Sequence, residues 1–476
     1  MANTKPKKLS ESHVAVVGAG LTGSLLAILL ARRGMQVTVL ERRPDMRIET
    51  ISAGRSINLN ITRRGLKALD KAGLKEIILE NSVPMMGRLI HSREGELTYQ
   101  AYGRDESEFG NSVCRGELNK TLMTEAEKTG RVTIHFNRKV TNIDLETNTL
   151  TIKSDDAKGE TVQTFDLVIG TDGSASQIRE TISENKGYKC DASYLNYGYK
   201  ELAISPDEAG AFKMEKNVLH IWPRGMYMII ALPNFDGSFT CTLFLPYEGE
   251  PSFEKLKTEE SVREFFQTDF ADVFPLLDKP VETFFENPTG TMVTVKCDPW
   301  YYEDRVLLVG DAAHAIVPFF GQGANCAFED LTVFHELLEK YIGGDQVDWK
   351  ALFVEFNALR KPNSDAIAEM AFDNFIEMRD KVGNAEFLKQ KAVEKILEKN
   401  FPDKFASRYP LVVFTHNPYE LCQRLGLLID EIIIELCQGL DKAEDVDLVK
   451  AEHLIDAKLT PVLKGQVRDT TLTTVR

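Results

Sequence analysis

Three groups of glycine and acidic residues occur along this chain with the spacing of a dinucleotide-binding protein. The first is VAVVGAGLTG, with Gly18, Gly20 and Gly23, and Glu41 ends the next predicted strand. Glycines at this spacing allow a tight strand-to-helix turn, close approach of the backbone to a pyrophosphate, and packing of the helix on the strand. The helix N-terminus would face the phosphates, and Glu41 would accept hydrogen bonds from ribose hydroxyls. We predict a βαβ nucleotide-binding unit, which by itself does not distinguish NAD from FAD.

Two later motifs favour FAD. The sequence DLVIGTDGSASQIR places Asp172 and Gly173 after an apolar strand and Arg179 in the following helix. The sequence VLLVGDAAHAIVPFFGQGANCAFED places Asp311 at a strand end, where it could bind ribityl hydroxyls, before a helix predicted to begin near Cys326. The N-terminus of that helix would stabilise negative charge on a reduced flavin. Each aspartate alone could equally be a turn residue, but the three motifs together predict an FAD enzyme.

Composition limits the class of protein. A length of 476 residues suggests two or three domains, and a net charge of −15 argues against nucleic-acid or anionic-membrane binding. The seven cysteines are scattered without a CxxC pair, which indicates reduced thiols and no metal site. The uncharged segment 14–31 is long enough for a marginal membrane span, but its glycine spacing favours a strand, a turn and a helix.

The remaining patterns predict an α/β fold with three parts. We expect a Rossmann-like FAD-binding domain, an inserted antiparallel β-sheet substrate domain and a C-terminal helical region. In the inserted sheet, Asp236-Gly237 is a hairpin turn between two strands rich in aromatic and β-branched residues. The predicted boundaries are 10–75, 105–185 and 296–345 for the FAD domain, 76–104 and 186–295 for the sheet, and 346–476 for the helices.

Longer phrases extend the resemblance beyond the flavin motifs. RRPDMRIET, GRSINLNIT, MMGRLIHS, AYGRDESE, HIWPRGMYMIIALPN, SFTCTLFLP and DNFIEMRDKV resemble the kynurenine 3-monooxygenase family of class A flavoprotein aromatic hydroxylases. The resemblance covers roughly residues 10–420. It implies that the protein binds FAD and uses NADPH and O₂ to hydroxylate L-kynurenine to 3-hydroxy-L-kynurenine through a flavin C4a-hydroperoxide. It also implies a role in tryptophan catabolism by the kynurenine pathway, toward quinolinate and NAD synthesis.

The resemblance also implies further cofactor contacts. Asn60 departs from the family, which often has alanine there, and Ala324 stands where methionine is usual. The FAD contacts implied in this way are Thr22, Leu40, Glu41, Arg42, Arg43, Asn60, Arg115, Val140, Gly323, Ala324 and Asn325.

The substrate site is assigned by the same resemblance. Arg88 and Tyr102 would form a clamp for the α-carboxylate, because a guanidinium matches a carboxylate in charge and geometry. Asn374 and Tyr409 supply the other polar contacts, although from the residues alone an arginine and tyrosines of this kind could be surface or core residues. The candidate walls of the ring pocket are Ile230, Leu232, Phe244, Pro318 and Phe319.

No catalytic side chain is expected, because the chemistry is carried by the flavin. The substrate's own amino group activates the ring position ortho to it, so His314 is interpreted as structural. Two alternatives remain at this stage: a flavoprotein hydroxylase of another aromatic acid, and a non-catalytic flavin-binding protein. We expect a cytoplasmic monomer or homodimer that binds a small aromatic amino acid, with no nucleic-acid partner and no stable membrane association.

Overall fold

The computed structural model describes residues 8–49, 58–154, 159–185, 187–380 and 385–465. Part of the phrase GRSINLNIT, the last residue of RRPDMRIET, the last two residues of DNFIEMRDKV and residues 466–476 therefore lie outside the described residues.

The elements alternate between strands and helices until the C-terminal third, which is almost entirely helical. The strands are β1 His13–Val17, β2 Gln36–Leu40, β3 Asn58–Ile61, β4 Val83–Met85, β5 Gly87–His91, β6 Leu97–Ala101, β7 Gly110–Cys114, β8 Val132–His135, β9 Arg138–Asp144, β10 Thr149–Ser154, β11 Glu160–Thr164, β12 Leu167–Gly170, β13 Lys189–Ile204, β14 Val218–Pro223, β15 Met228–Pro233, β16 Phe239–Pro246, β17 Gly290–Asp298, β18 Tyr301–Tyr302, β19 Val306–Leu308, β20 Ile342–Gly343 and β21 Gln346–Val347. The α-helices are α1 Leu21–Arg32, α2 Arg63–Lys71, α3 Lys75–Leu79, α4 Arg115–Lys128, α5 Gln177–Ser183, α6 Glu259–Asp269, α7 Pro280–Glu286, α8 Asp311–His314, α9 Gly323–Tyr341, α10 Trp349–Asp380, α11 Ala385–Asn400, α12 Arg408–Val413, α13 Tyr419–Cys437, α14 Leu448–Lys458 and α15 Thr460–Gly465.

The first sheet has six strands in the order β18-β19-β12-β1-β2-β8. All neighbouring strands in it run parallel except β18 and β19. The apolar runs of β12 and β19 are fully buried, as expected for parallel strands covered on both faces. The predicted βαβ unit is confirmed, and its helix α1 begins at Leu21. The carboxyl ends of β1, β12 and β19 carry the three sequence motifs.

The second sheet has seven strands in the order β17-β13-β16-β15-β14-β5-β6. The predicted hairpin joins β15 and β16, and Gly237 in its turn has a φ of 89°, which only glycine adopts without strain. The sheet is mainly antiparallel, but β14 and β5 pair in parallel. Strands β13 and β17 pair with each other, and they carry the chain into and out of the sheet from the first one.

Three small antiparallel sheets complete the β structure of the described residues: β9 to β11 form one, β3, β4 and β7 form another, and β20 and β21 form the third. The C-terminal helices pack through α10 and α13 over the far end of the second sheet, around a core that includes Phe375, Leu425 and Ile429. Residues 425–437 form the C-terminal part of α13, and their apolar side chains contribute to this core. Across the described ranges, none of the helices combines the length and the apolar character that a membrane crossing requires.

Candidate active site

The turn after β1 leaves an open backbone at the first motif. Gly18 has a φ of 102°, and a Cβ on Gly23 would lie 2.0 Å from the Gly18 carbonyl oxygen. Both positions therefore need glycine for the strand and helix to pack. A Cβ on Gly20, by contrast, would meet nothing within 4 Å, because this backbone faces an open cavity. The N-terminus of α1 thus presents bare backbone N–H groups to that cavity, which suits a phosphate group.

Glu41 follows β2 and is buried beside this turn. Its carboxylate accepts hydrogen bonds from the Ala19 N–H at 2.8 Å and from the Arg43 N–H and Nε at 2.9 and 2.8 Å. Burial opposes ionisation, but the hydrogen bonds and charge of Arg43 outweigh it and hold the pKa of Glu41 below its usual value. An ionised acceptor at this strand end is suited to ribose hydroxyls.

The second motif supplies a buried acceptor. Asp172 follows β12, and its Oδ2 accepts the Gln177 N–H at 2.8 Å. Burial raises the pKa of Asp172, with hydrogen bonds from Ser176 and the following backbone acting in the opposite direction. Its Oδ1 is buried without a partner in the described part of the chain. Next to it, Gly173 has a φ of 83°, and a Cβ there would meet nothing within 4 Å.

The third motif forms the floor of the site. Asp311 is exposed at the start of α8, and a short 3-10 helix, Pro318–Phe320, precedes α9. Helix α9 begins at Gly323, three residues before the predicted start near Cys326. Gly323 and Ala324 are therefore in its first turn, and both line the cavity. An N–H-rich helix start at this position can stabilise negative charge on a ring placed over it.

One continuous cavity of about 1040 Å³ connects these three strand ends with the second sheet and the C-terminal helices. Of the predicted site residues, two are not in its lining. Gly23 packs under the turn, and Asn325 is fully buried, with its Oδ1 accepting the Thr62 N–H at 2.9 Å. The structure does bring the others together around the cavity: Gly18, Gly20, Thr22, Leu40, Glu41, Arg42, Arg43, Asn60, Arg88, Tyr102, Arg115, Val140, Asp172, Ile230, Leu232, Phe244, Asp311, Pro318, Phe319, Gly323, Ala324, Asn374 and Tyr409.

The residues at the sheet end of this cavity fit an FAD molecule. The glycine backbone at Gly20 and Gly173 is open toward it, as a cofactor that approaches the main chain requires. The buried oxygen Asp172 Oδ1 lacks a donor among the described residues, and the Asp172 side chain lines the cavity. Unsatisfied buried acceptors are costly, so hydroxyl or N–H donors from a ligand would stabilise them.

Where the cavity borders the second sheet and the C-terminal helices, it is lined by one arginine, Arg88, and two tyrosines, Tyr102 and Tyr409. Arg88 on β5 donates from Nε to Gln100 Oε1 at 2.8 Å. The rings of Tyr102 and Tyr409 stack with their centroids 5.1 Å apart. Burial raises the pKa of Tyr102 well above its usual value and that of Tyr409 to about 12, although the charge of Arg88 acts against both shifts. Both phenols therefore remain protonated donors beside a guanidinium, an arrangement that suits a carboxylate.

Asn374 connects α10 to the floor of the site. Its Nδ2 donates to the Phe319 carbonyl at 2.7 Å, which fixes the short helix Pro318–Phe320 against α10. The ring of Phe319 packs on Phe375 at 4.5 Å and on Phe244 at 5.2 Å. These contacts set the position of the aromatic floor relative to the second sheet.

The two faces of β15 have different neighbours. Ile230 and Leu232 line the cavity, whereas Ile229 and Ala231 are fully buried in a separate core with α6 and α7. The alternation expected for a strand therefore gives one apolar wall of the pocket and one core face. A flat ring would meet only hydrocarbon on this side.

Several cavity residues were missed by the sequence analysis. Gln100 positions Arg88, and its place one strand across from Arg88 is visible only once β5 and β6 are paired. A charged group at the helical end consists of Glu377, Lys391, Glu394, Arg408 and Asp430. Lys391 Nζ lies 3.1 Å from Glu394 Oε1, and Arg408 pairs with Asp430. The position of Arg408 directly before the predicted site residue Tyr409 was the one feature of the sequence that could have indicated this charged group.

His314 belongs to a buried ion network and does not line the cavity. Its Nε2 lies 2.5 Å from Asp330 Oδ2, and Arg360 donates from Nε to Asp330 Oδ1 and from Nη1 to Glu329, each at 2.7 Å. Burial opposes charge on His314, but Asp330 raises its pKa well above the ordinary value. Arg64 completes the network by pairing with Glu329. Cys326, His314 and Asp330 lie close enough together to hold a metal ion. The carboxylate of Asp330, however, already pairs with His314 and Arg360.

Arg64 also ties the network to the C-terminal helices. Its guanidinium donates to the backbone carbonyls of Val412 and Asn417 and lies 3.9 Å from the centre of the Tyr419 ring. Tyr419 in turn donates its hydroxyl to Gln322 Oε1 at 2.9 Å. The segment that carries Tyr409 is thereby fixed to the start of α9.

Comparison with known proteins gives a consistent result. A family model described as an FAD binding domain matches residues 11–369. The kynurenine 3-monooxygenase of Myxococcus xanthus strain DK1622 is 53% identical over 452 residues, covering 95% of this chain and 96% of that protein. The protein of the same name from Dictyostelium discoideum is 44% identical, covering 94% and 98%. Among solved structures, the tetrameric form of 2-methyl-3-hydroxypyridine-5-carboxylic acid oxygenase is similar in fold, with a TM-score of 0.62, 23% identity, and coverage of 79% and 93%.

Proposed function

The chain belongs to the kynurenine 3-monooxygenase family, and we propose on this basis that it hydroxylates L-kynurenine to 3-hydroxy-L-kynurenine. It is an FAD-dependent monooxygenase that uses NADPH and O₂. The observation that carries the substrate assignment is the group formed by Arg88, Tyr102 and Tyr409 at the end of the cavity opposite the dinucleotide-binding turn. This group offers one cation and phenolic donors to an amino-acid carboxylate, with an apolar wall beside it for a ring.

The proposed cofactor contacts follow from the open backbone and the unpaired acceptors. Glu41 accepts from the ribose, the N–H groups at the start of α1 hold the pyrophosphate, and Asp172 Oδ1 accepts from a hydroxyl. The bound FAD supplies the redox and oxygen chemistry of the reaction. The start of α9 at Gly323 stabilises negative charge at the cofactor ring.

The proposed substrate contacts divide between anchoring and orientation. Arg88 pairs with the α-carboxylate, and Tyr102 donates its hydroxyl to the same group. Tyr409, whose ring stacks on Tyr102 at a centroid distance of 5.1 Å, supplies a further polar contact. With the carboxylate held there, the aromatic ring lies between Ile230 and Phe319 and excludes water from the site of hydroxylation.

The chain needs no acid–base residue for this reaction. The amino group of the substrate ring donates electrons to the neighbouring carbon, which makes that carbon nucleophilic. His314 is held by Asp330 outside the cavity, which supports a structural role.

Further proposals concern the organisation of the chain. We propose the division into the FAD-binding, β-sheet and helical regions given above, supported by the two separate large sheets. We also propose a monomer or homodimer in the cytoplasm, supported by the acidic net charge and by seven cysteines without a disulfide framework.

The activity test uses purified FAD-loaded protein. We expect kynurenine to accelerate NADPH oxidation and O₂ consumption, and we expect a product 16 mass units heavier than kynurenine that coelutes with 3-hydroxykynurenine. Two results together would refute the substrate assignment: NADPH oxidation with kynurenine but no hydroxylated kynurenine, and hydroxylation of another aromatic acid in a substrate panel. The flavoprotein assignment would remain intact.

The clamp is tested separately with Arg88→Ala. We expect kynurenine to bind at least tenfold more weakly, since a charge-assisted pair is lost, while the flavin content stays at one per chain. The matched control is Arg93→Ala on the same hairpin, because Arg93 is half exposed and pairs with Asp269 away from the cavity. Equal affinity in the wild type and Arg88→Ala would exclude the clamp.

A further inference from the structure

Two cysteines face each other across the strands that connect the two large sheets. Cys190 on β13 and Cys297 on β17 are directly paired in the antiparallel register, and their sulfur atoms lie 2.7 Å apart. They are separated by 107 positions in the chain, so the sequence alone gave no sign that they meet. Both lie at the end of the pair nearest the first sheet, where the chain enters and leaves the second sheet.

The surroundings of the pair make one thiol reactive and the other protected. Cys190 is exposed, whereas Cys297 is 1% exposed. The hydrogen bond with Cys297 lowers the pKa of Cys190; burial opposes this shift, and the charge of Arg179 supports it. Arg179 is fixed near this position by donating to the Ala312 carbonyl at 3.1 Å. A thiolate is the form of cysteine that reacts with oxidants, so Cys190 is the attacking group.

Several other cysteines lack these features. Cys241, Cys326, Cys422 and Cys437 are all buried. Burial raises the pKa of Cys241 well above its usual value, and it raises that of Cys422 to about 12. A buried neutral thiol reacts slowly with peroxide, so oxidation would be selective for the exposed member of the pair.

We propose that Cys190 and Cys297 form a peroxide-oxidisable dithiol that closes to a disulfide between β13 and β17. The Cys190 thiolate attacks hydrogen peroxide, so that an S–O bond forms, the O–O bond breaks and hydroxide leaves. The Cys297 sulfur then attacks the Cys190 sulfenic acid, the S–S bond forms, and water leaves. Two thiols are oxidised by two electrons, and one peroxide is reduced to two waters.

The geometry needs little rearrangement for this step. A disulfide requires the two sulfurs to approach to about 2.05 Å and the two Cβ atoms to lie about 3.5–4.5 Å apart, which residues paired across neighbouring antiparallel strands can achieve. The bond would tie together the strands that lead into and out of the seven-stranded sheet. Because it closes a loop of more than a hundred residues, it restricts the unfolded chain strongly and stabilises the oxidised protein.

The test uses the FAD-loaded wild-type protein and hydrogen peroxide. After brief treatment, remaining thiols are alkylated, and the digested protein is analysed by mass spectrometry. We expect a Cys190–Cys297 cross-linked peptide, loss of two alkylatable thiols, reversal by dithiothreitol, and a melting temperature several degrees above that of the reduced protein. This part needs no variant, so it remains informative whatever the folding of any mutant.

Two variants identify the order of events. Cys297→Ser leaves Cys190 without a resolving thiol, so a dimedone adduct on Cys190 replaces the cross-link, and the rise in melting temperature is lost. Cys114→Ser is the control, and it should form the cross-link at the wild-type rate. The proposal is overturned if wild-type Cys190 proceeds to sulfinic acid without a cross-link, or if Cys190→Ser loses thiols as fast as the wild type.

Discussion

The cofactor groove and the substrate pocket are two ends of one cavity, and they are built from different parts of the chain. The groove consists mainly of backbone at three strand ends of a single sheet, with glycines where a side chain would intrude. The pocket consists of side chains from β5, β15, β16, the short helix Pro318–Phe320, α10 and α12, which are more than 300 residues apart at their extremes. Short-range turn geometry therefore determines the first region, and long-range packing determines the second.

The two regions are linked by the ion network under α9. Glu329 and Asp330 on α9 pair with Arg360 on α10, and Glu329 also pairs with Arg64 on α2. Since Arg64 also holds the carbonyls on either side of the turn after α12, the helix that begins under the cofactor is fixed to the segment with Tyr409. A mutation in the groove should affect cofactor binding first, whereas a mutation in the network should affect the pocket and stability together.

The largest effect is expected for Gly23→Ala in the groove. The added Cβ would lie 2.0 Å from the Gly18 carbonyl oxygen and 2.5 Å from Thr171 Oγ1, and neither the strand nor the turn can move away without losing its packing. We expect little or no folded flavoprotein, measured as flavin absorbance per chain after purification.

Gly20→Ala is the informative partner of that variant. Its Cβ meets no protein atom within 4 Å, so we expect a melting temperature of the apoprotein close to that of the wild type. We expect roughly tenfold weaker FAD binding, because the methyl group occupies space that the cofactor uses. Unchanged FAD affinity in this variant would show that the pyrophosphate does not lie over Gly20.

The second largest effect is expected for Arg64→Met in the network. The change leaves the carbonyls of Val412 and Asn417 without their donor and removes one partner of Glu329, so we expect a loss of about 3–5 kcal/mol in the free energy of unfolding. Kynurenine binding should weaken as well, because the anchor of the Tyr409 segment is lost. Urea denaturation and a binding titration measure the two effects.

Lys67→Met on the same helix is the control for Arg64. Lys67 forms a half-exposed pair with Glu336, and such pairs contribute little to stability. We expect unfolding and kynurenine binding close to those of the wild type. If both variants behaved alike, the network would not connect the two ends of the cavity.

The two tyrosines should differ when each loses its hydroxyl. Tyr102→Phe removes a donor to the substrate carboxylate, and such bonds are worth about 1.5–3 kcal/mol, so we expect at least tenfold weaker kynurenine binding. Tyr409→Phe removes only a neutral polar contact beside the clamp, with an expected loss of about 0.5–1.5 kcal/mol. Both variants should retain FAD. A larger effect for Tyr409→Phe would reverse the assigned roles.

The groove could be predicted from the sequence because its signals are local. Three glycines, an acidic strand end and the Asp172-Gly173 turn each lie within a few residues of a strand that periodicity reveals. Even so, α9 begins earlier than expected, because the Gly-Gln-Gly turn already adopts helical geometry at Gly323. The side chain of Asn325 is buried against Thr62, a contact between residues more than 260 positions apart that no local pattern contains.

The pocket could not be predicted from physical chemistry alone. Arg88, Tyr102, Asn374 and Tyr409 were assigned through family resemblance, since an arginine or a tyrosine in isolation has no sequence pattern that distinguishes a ligand contact from core or surface. The support from Gln100 appears only after β5 and β6 are paired. The Cys190–Cys297 pair was missed for the same reason, because cysteine spacing does not predict strand register.

The smallest predicted effect comes from a comparison of substitutions on the two faces of β15. Ile230→Val and Ile229→Val each remove one methylene, which should cost about 0.5–1.5 kcal/mol of stability at the fully buried Ile229 and less at the partly buried Ile230. Ile230 lines the cavity, whereas Ile229 is buried in the core with α6 and α7. We therefore expect only Ile230→Val to loosen the fit of the aromatic ring, seen as a severalfold rise in KM or as more NADPH oxidised per hydroxylated product. Because the two variants make the same chemical change on opposite faces of one strand, a difference in coupling between them would arise from the cavity face. Equal coupling in both would mean that the ring does not contact this wall, and the substrate would then have to lie closer to Phe319 and α10.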